Sequence, residues 1–412
     1  MSRARDIADL ITAAIEANTI QSDGTITGTT TKVNTHDSDG ALLAADSSGY
    51  ADGSLHYMTT PRRLMLWDDS DGGFFEITVN SSELEAIILP GNHQGSSYGY
   101  VTNGETHWAS GSDKRDRISF TSDGNSVGRG SDLSNISQRG AACSSPSHGY
   151  VLANSEPSSN PNPTPAKQVA RFAFASDNDT QADVGDLTYN IRKGTGHQSQ
   201  SHGFRASGTI NGLGYNPTSN PGGPYGIDKW AFASDTNQNF VNKIQSGHQN
   251  YGAGQASTDT HGYMIGGVEP APYGWDRRTI KFPFAVDAVS SEIGDIQYGA
   301  QNPGSANSET DGYVFGGYGD NTAPGGNTFM NNIQKFSFSS SYSSSDIGDL
   351  TTPKDNNAGN SSTTHGYSAT GNDPAPGISN IIEKFSFASN GNASDVGDTS
   401  EVRGGPSGNQ QI

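Results

Sequence analysis

The chain has 412 residues, 31% of them hydrophobic, with 53 glycines and 43 acidic against 24 basic residues, a formal net charge of −19. Such a surface repels phosphate backbones and argues against direct nucleic-acid binding, and the single Cys143 excludes an intramolecular disulfide and a cysteine-based metal site. No apolar run reaches the 18 residues of a membrane span, and the N-terminus lacks the apolar core of a secretory signal peptide, so neither is expected. The 16 Phe, 16 Tyr and 4 Trp recur at regular intervals, unlike a disordered composition.

Residues 3–17 place Ile7, Leu10, Ile11, Ala14 and Ile15 on one stripe of a helix, with Ser2 at the N-cap position. A lone helix of this length is marginal in water and has to bury that stripe. Two readings stand: it packs on its own domain, or it is a docking or self-association helix. From Thr19 to about residue 80 the chain turns Thr/Gly/Asp-rich, with strand-like pieces at Thr25–Thr27, Leu64–Trp67 and Phe74–Val79. The acidic cluster Asp68–Gly73 is read as a solvated turn, because it lacks the spaced ligand set of a calcium loop.

The remainder is a repeat. A glycine recurs at Gly99, Gly149, Gly203, Gly262, Gly312 and Gly366, at intervals of 50, 54, 59, 50 and 54 residues. An aromatic follows each: Tyr100, Tyr150, Phe204, Tyr263, Tyr313 and Tyr367. A second stretch ends in Phe120, Phe174, Phe232, Phe284, Phe338 and Phe387, and a third closes on Val184-Gly185-Asp186, Ile293-Gly294-Asp295, Ile347-Gly348-Asp349 and Val396-Gly397-Asp398. The first and third copies are degenerate there, with Val127-Gly128-Arg129 and Val241-Asn242-Lys243. Six copies of about fifty residues, each with four strand-like pieces, fit radial β repeats. Alternation in Ile333–Phe338 places Phe336 and Phe338 on one sheet face as an inter-blade core.

The basic residues Arg117, Arg171, Lys229, Lys281, Lys335 and Lys384 precede the aromatic pair. They are read as snorkelling stems whose charge pairs with the closing Asp of the same or the next blade. His148, His202, His261 and His365 precede the repeated glycine and are read as structural, since equivalent positions in separate blades lie too far apart to share an ion. Arg403–Ile412 looks like a further Gly/Ser/Asn-rich strand, expected to pair in the first blade beside or in place of residues 88–97 and so close the ring.

These repeats resemble the kelch β-propellers: Gly266-Gly267 and Gly316-Gly317 match the kelch double glycine, and Asn103-Gly104, Ala153-Asn154, Ser207-Gly208 and Thr370-Gly371 keep part of it. The kelch Trp of the later strand is absent. The layout is also similar to virion proteins of tailed bacteriophages, those of marine cyanobacteria above all. Ser2-Arg3-Ala4-Arg5-Asp6-Ile7-Ala8-Asp9-Leu10 and the recurring His-Gly-Tyr … Lys-Phe-x-Phe … Val-Gly-Asp carry that likeness.

The expected fold is all-β. A docking helix (1–18) and a small β-rich attachment region (19–84) precede a six-bladed, kelch-like β-propeller (85–412) with four strands per blade. The resemblance implies a non-enzymatic virion protein of the tail or tail fibre. It would dock through Ile7, Leu10, Ile11 and Ile15, contact other virion proteins, form a homo-oligomer and display the propeller toward a host surface or a neighbour. Variable connectors at 154–167, 208–226 and 318–332 suit recognition, and Tyr215, Tyr225, Tyr273 and Trp275 in or near such loops could stack on a host-surface glycan or cap blade edges. No catalytic residue, metal site or cofactor is expected. A glycan-cleaving propeller is the alternative, on the partial Asp-box likeness of Ser122–Asn125, and a purely architectural capsid or neck protein is a third reading.

Overall fold

The computed structural model describes residues 34–36, 55–59, 62–68, 73–76, 93–107, 110–131, 140–152, 167–176, 181–189, 191, 193–208, 226–234, 237–244, 252–269, 274–320, 327–339, 343–374 and 377–412. The chain divides into two compact units, Met1–Leu89 and Pro90–Ile412. The expected N-terminal helix, with Ile7, Leu10, Ile11 and Ile15, lies outside the described residues, as does Thr25–Thr27.

The first unit contains a four-stranded sheet of Asn34–His36, Leu55–Thr59, Arg62–Asp68 and Gly73–Glu76, in that order. Its first two strands run parallel and the other two pairings are antiparallel. The apolar pieces at Leu64–Trp67 and Phe74–Phe75 are its third and fourth strands.

The second unit is all-β among its described residues and propeller-like. It holds six four-stranded antiparallel sheets, with strands a to d in chain order in the second to sixth. Ser-, Ala- and Gly-rich pieces form the a strands: Ala141–Ser144, Thr195–Gln198, Gly254–Ser257, Gly304–Asn307 and Ala358–Ser361 for the second to sixth sheets. The a strand of the first sheet comes from the other end of the chain: Ser407–Gln410 pairs antiparallel with Tyr98–Thr102, Ser407 opposite Thr102 and Gln410 opposite Gly99. The C-terminal tail therefore closes the ring, as its composition suggested. Successive a strands touch one another all the way round, and the first meets the second again.

The repeated glycine and aromatics explain how neighbouring sheets join. Glycine in strand b lies directly opposite the first aromatic of strand c in five sheets, Gly149 with Phe172, Gly203 with Trp230, Gly262 with Phe282, Gly312 with Phe336 and Gly366 with Phe385. A methyl group at any of these glycines would run into that ring. The aromatic after the glycine then meets the second aromatic of the next sheet. Tyr100 lies 5.1 Å from Phe174, Tyr150 5.1 Å from Phe232, Phe204 4.4 Å from Phe284, Tyr263 4.8 Å from Phe338, Tyr313 4.7 Å from Phe387 and Tyr367 4.8 Å from Phe120, centroid to centroid. The last of these contacts carries the series from the sixth sheet back to the first. Both faces of a sheet are apolar: Phe336 packs with Tyr263 of the fourth sheet, while Ile333 packs with Phe385 of the sixth.

Toward the axis each a strand presents an edge with unpaired backbone groups, which a sheet has to satisfy somehow. Side chains do so from the next sheet. Gln255 Oε1 accepts from Gly196 N at 2.6 Å, Ser305 Oγ from Gln255 N at 3.1 Å, Gln198 Oε1 from Ser144 N at 3.2 Å, Ser361 Oγ from Asn307 N at 2.9 Å and Ser144 Oγ from Gln410 N at 3.1 Å. This is why the inner strands are polar although buried.

Just before the a strands of the first and the third to sixth sheets a left-handed residue forms a second belt: Lys193, Gly252, Asn302, Asn356 and Gly405, with φ between 51° and 63°. Gly252, Asn302, Asn356 and Gly405 each donate N–H to the carbonyl of the preceding member, at 2.9, 2.6, 2.9 and 2.8 Å.

Candidate ligand-recognition site

The six a strands surround the ring axis. A cavity of about 90 Å³ lies there, lined by backbone and by residues such as Gln255, Ser305, Asn357 and Ser407, with Lys193 its one charged side chain among the described residues. That space suits a few water molecules. On the side of the a–b turns, His93 and Gln94 cross the axis: His93 Nε2 lies 3.1 Å from Asp259 Oδ1 of the fourth sheet, and Gln94 donates to Ser362 O of the sixth.

The repeated polar residues are committed to the scaffold. His148, His202, His261 and His365 each place Nδ1 2.8 Å from the hydroxyl of the preceding Ser147, Ser201, Thr260 or Thr364. In the fifth sheet Thr310 makes the same bond to Asp311. The turn hydroxyls Ser145, Ser199, Thr258, Ser308 and Ser362 accept the backbone N–H of the His or Asp three residues on. The motif is therefore Ser/Thr-x-Ser/Thr-His-Gly-aromatic, and its hydroxyl spacing is legible in the sequence. Burial, then the charge of Lys281, lowers the His261 pKa to about 4, and the same two causes lower His202 beside Lys229.

Four of the six basic residues lie over strand-b aromatics: Arg117 over Tyr98 at 4.1 Å, Lys229 over Phe204 at 5.5 Å, Lys281 over Tyr263 at 5.7 Å and Lys335 over Tyr313 at 5.7 Å. For Lys335 and Lys384 the partner differs from the closing Asp that the sequence suggested. Their acidic partners are Asp311 for Lys335 and Asp123 for Lys384. The closing Gly-Asp faces the next sheet through its backbone. Asp186, Asp349 and Asp398 donate N–H to Asn237, Asn392 and Asn125. Asp123 and Asn125, the Asp-box-like pair, are thus seam residues between the sixth and first sheets.

Three buried carboxylates, Asp116, Asp228 and Glu383, occupy one equivalent position in strand c. Each tethers the connector from the previous sheet, through Ser400, Thr188 and Thr351 respectively. Each also meets a buried cation: Arg403, Arg205 and Lys354.

What departs from the repeat is a projection of the fourth and fifth sheets on the side of the b–c loops. Strands b and c of the fourth sheet run His261–Glu269 and Gly274–Pro283, against five and six residues in the first three sheets. Gly266-Gly267 and Gly316-Gly317 adopt φ of 63° and 108°, and of 64° and 99°. These are left-handed conformations that glycine enters without strain, and the register shifts there, letting the fourth hairpin bend and extend. Asn103, Ser207 and Thr370 hold the first position of the pair at φ of 58°, 58° and 60° in other copies.

After Gly317, Tyr318–Asp320 pairs with Ala300–Gln301 on one side and Asn327–Phe329 on the other, a three-stranded side sheet. Trp275 of the fourth hairpin packs edge-to-face on Tyr318 at 5.7 Å, and Tyr318 packs edge-to-face on Phe329 at 5.3 Å. All three rings are half-buried. Beside them Arg277 reaches across to Asp320, Nη2 to Oδ2, at 3.2 Å. Asp320 is buried, and its Oδ1 accepts no hydrogen bond among the described residues.

Of the residues singled out from sequence for ligand contact, Trp275 falls in this cluster; Tyr215, Tyr225 and Tyr273 lie outside the described residues. Tyr318, Phe329, Arg277 and Asp320 were missed as contacts, because no repeat position marks them. Among the described residues no group of three or more His, Cys, Asp or Glu is placed to hold a metal ion. No protein family and no curated protein matches the chain.

Proposed function

We propose that the second unit is a six-bladed, kelch-like β-propeller, and that the chain is a non-enzymatic structural protein of a tailed-phage virion, associated with the tail or tail fibre. Residues 1–18 dock on the particle or on copies of the chain, and the propeller is displayed for contact with a host surface or a neighbouring virion protein. The observation that carries this reading is the division of labour around the ring. Repeated histidines fix their own a–b turns, and asparagines, Lys384 and buried carboxylates join one sheet or connector to the next. Departures from the repeat gather in the b–c connections, where the fourth and fifth sheets raise an aromatic surface. A rigid scaffold carrying variable loops is a display architecture.

The test uses particles. Antibodies to residues 90–412 are expected to label the tail of purified virions, and a chain lacking residues 1–20 is expected to keep the thermal unfolding of its ring while disappearing from particles. Unlabelled virions would remove the virion reading. Incorporation of the shortened chain at the wild-type level would remove the docking role of the helix.

A further inference from the structure

We infer that the corner formed by Trp275, Tyr318 and Phe329, with Arg277 and Asp320 beside it, binds a neutral pyranose unit of a glycan. The inference deepens the display reading above and rests on it only for the biological setting of the ligand. Among the described residues none of the three rings falls in the buried clusters that hold the sheets together. They are held instead at half-exposure by a side sheet and by Gly319, where any side chain would overlap the backbone of Gly299.

The interplanar angle is 77° at both ring contacts. A right-angled corner offers one ring face and one ring edge instead of a flat stack. A pyranose is amphipathic in the same way: its axial C–H groups form an apolar face for an aromatic ring, and its hydroxyls project around the rim. Arg277 N–H groups and the buried Asp320 Oδ1 supply donors and an acceptor at that rim, a few placed polar groups against an apolar wall. Charge selects among glycans. Arg277 and Asp320 cancel locally, and a chain of net charge −19 repels polyanionic saccharides over the Debye length. The ligand class is therefore neutral.

The experiment titrates the full chain with maltohexaose, cellohexaose and a mannose hexamer, and with a polygalacturonate oligomer as the acidic comparator, followed by calorimetry. At least one neutral oligomer is expected to bind more tightly than the acidic one. Trp275→Ala and Tyr318→Ala are expected to weaken it about tenfold or more, with the urea midpoint unchanged. Arg277→Ala, at an exposed side chain, serves as a second variant if a ring substitution perturbs folding, and is expected to weaken binding as well. Absence of binding by every neutral oligomer at about 10 mM, preference for the acidic oligomer, or binding that survives all three substitutions overturns the inference. Failure here with normal incorporation into particles leaves the virion reading standing, and failure of incorporation leaves the titration standing.

Discussion

At Gly312 the Phe336 ring crosses the space where a side chain would begin. Gly312→Ala is expected to cost roughly 1–3 kcal/mol by overpacking. Gly128→Ala, with nothing near it, is expected to stay within about 0.5 kcal/mol; urea midpoints of the two variants check both. His197 acts at the same scale. It is fully buried, Nε2 2.8 Å from Thr195 Oγ1 and Nδ1 3.1 Å from Ala256 O, and burial lowers its pKa to about 3. In the unfolded chain the ordinary value is about 6.5. Between those values the unfolded state binds the extra proton, so stability is complete above about pH 6.5 and declines as pH falls toward 3. His202, His261 and His365 are shifted in the same direction. Urea midpoints at pH 7 and pH 4.5 should show the decline, and His197→Gln should reduce the difference between them.

At the scale of the element, the connectors between sheets are fixed by the buried carboxylates. Arg205 donates from Nε and Nη2 to Asp228 Oδ2 at 3.1 and 2.5 Å and from Nη1 to Ser207 O and Gly226 O, while Thr188 holds the other Asp228 oxygen at 2.7 Å. Both charged side chains are fully shielded from solvent. Removing one partner strands the other, so Arg205→Met is expected to destabilise by about 3–5 kcal/mol. The double variant Arg205→Met/Asp228→Leu is expected to regain much of that loss. A double-mutant cycle by chemical denaturation measures the coupling, and equal losses in the single and double variants would contradict it. Ile280 and Gln334 stand at the equivalent position in the fourth and fifth sheets, and Gln334 tethers Tyr298 there without a charge. The tether is therefore built with a charge in the first, third and sixth sheets and without one in the fifth, and the apolar Ile280 cannot make it in the fourth.

For the whole molecule, ring closure rests on the last ten residues. Arg403 pairs with buried Asp116, Asn409 donates to Cys143 O and Tyr150 O, and Ser407–Gln410 completes the first sheet. Removing residues 403–412 opens the edge of Tyr98–Thr102 and leaves Asp116 without its cation. The loss is expected to be several kcal/mol, comparable with the roughly 5–15 kcal/mol that holds a domain folded. Thermal unfolding should then start far lower and lose its single transition. A melting curve identical to that of the full chain would show that the tail does not close the ring.

The repeat by itself determined the four-strand unit and the use of the tail as a strand of the first sheet, while the register that sets each glycine opposite an aromatic came from the tertiary structure. The unit and the tail follow from alternation, turn residues and small-residue runs, which act between near neighbours in sequence. The repeat also made one aromatic pair per copy legible as the glue between sheets, because Phe336 and Phe338 share a face whatever lies beyond it. Only the tertiary structure decided which charged and aromatic side chains meet across strands and between sheets. It laid Lys281 and Lys335 over tyrosines, brought Asp123 to Lys384 and Asn125 to Asp398, and set His93 and Gln94 across the axis. It likewise brought Trp275 against Tyr318, 43 residues away in the chain, through a side sheet formed by the b–c connection of the fifth sheet and the connector that precedes that sheet. The reason is physical: a charged or aromatic side chain at a sheet rim has several partners within reach, and the packing of one sheet on the next selects among them.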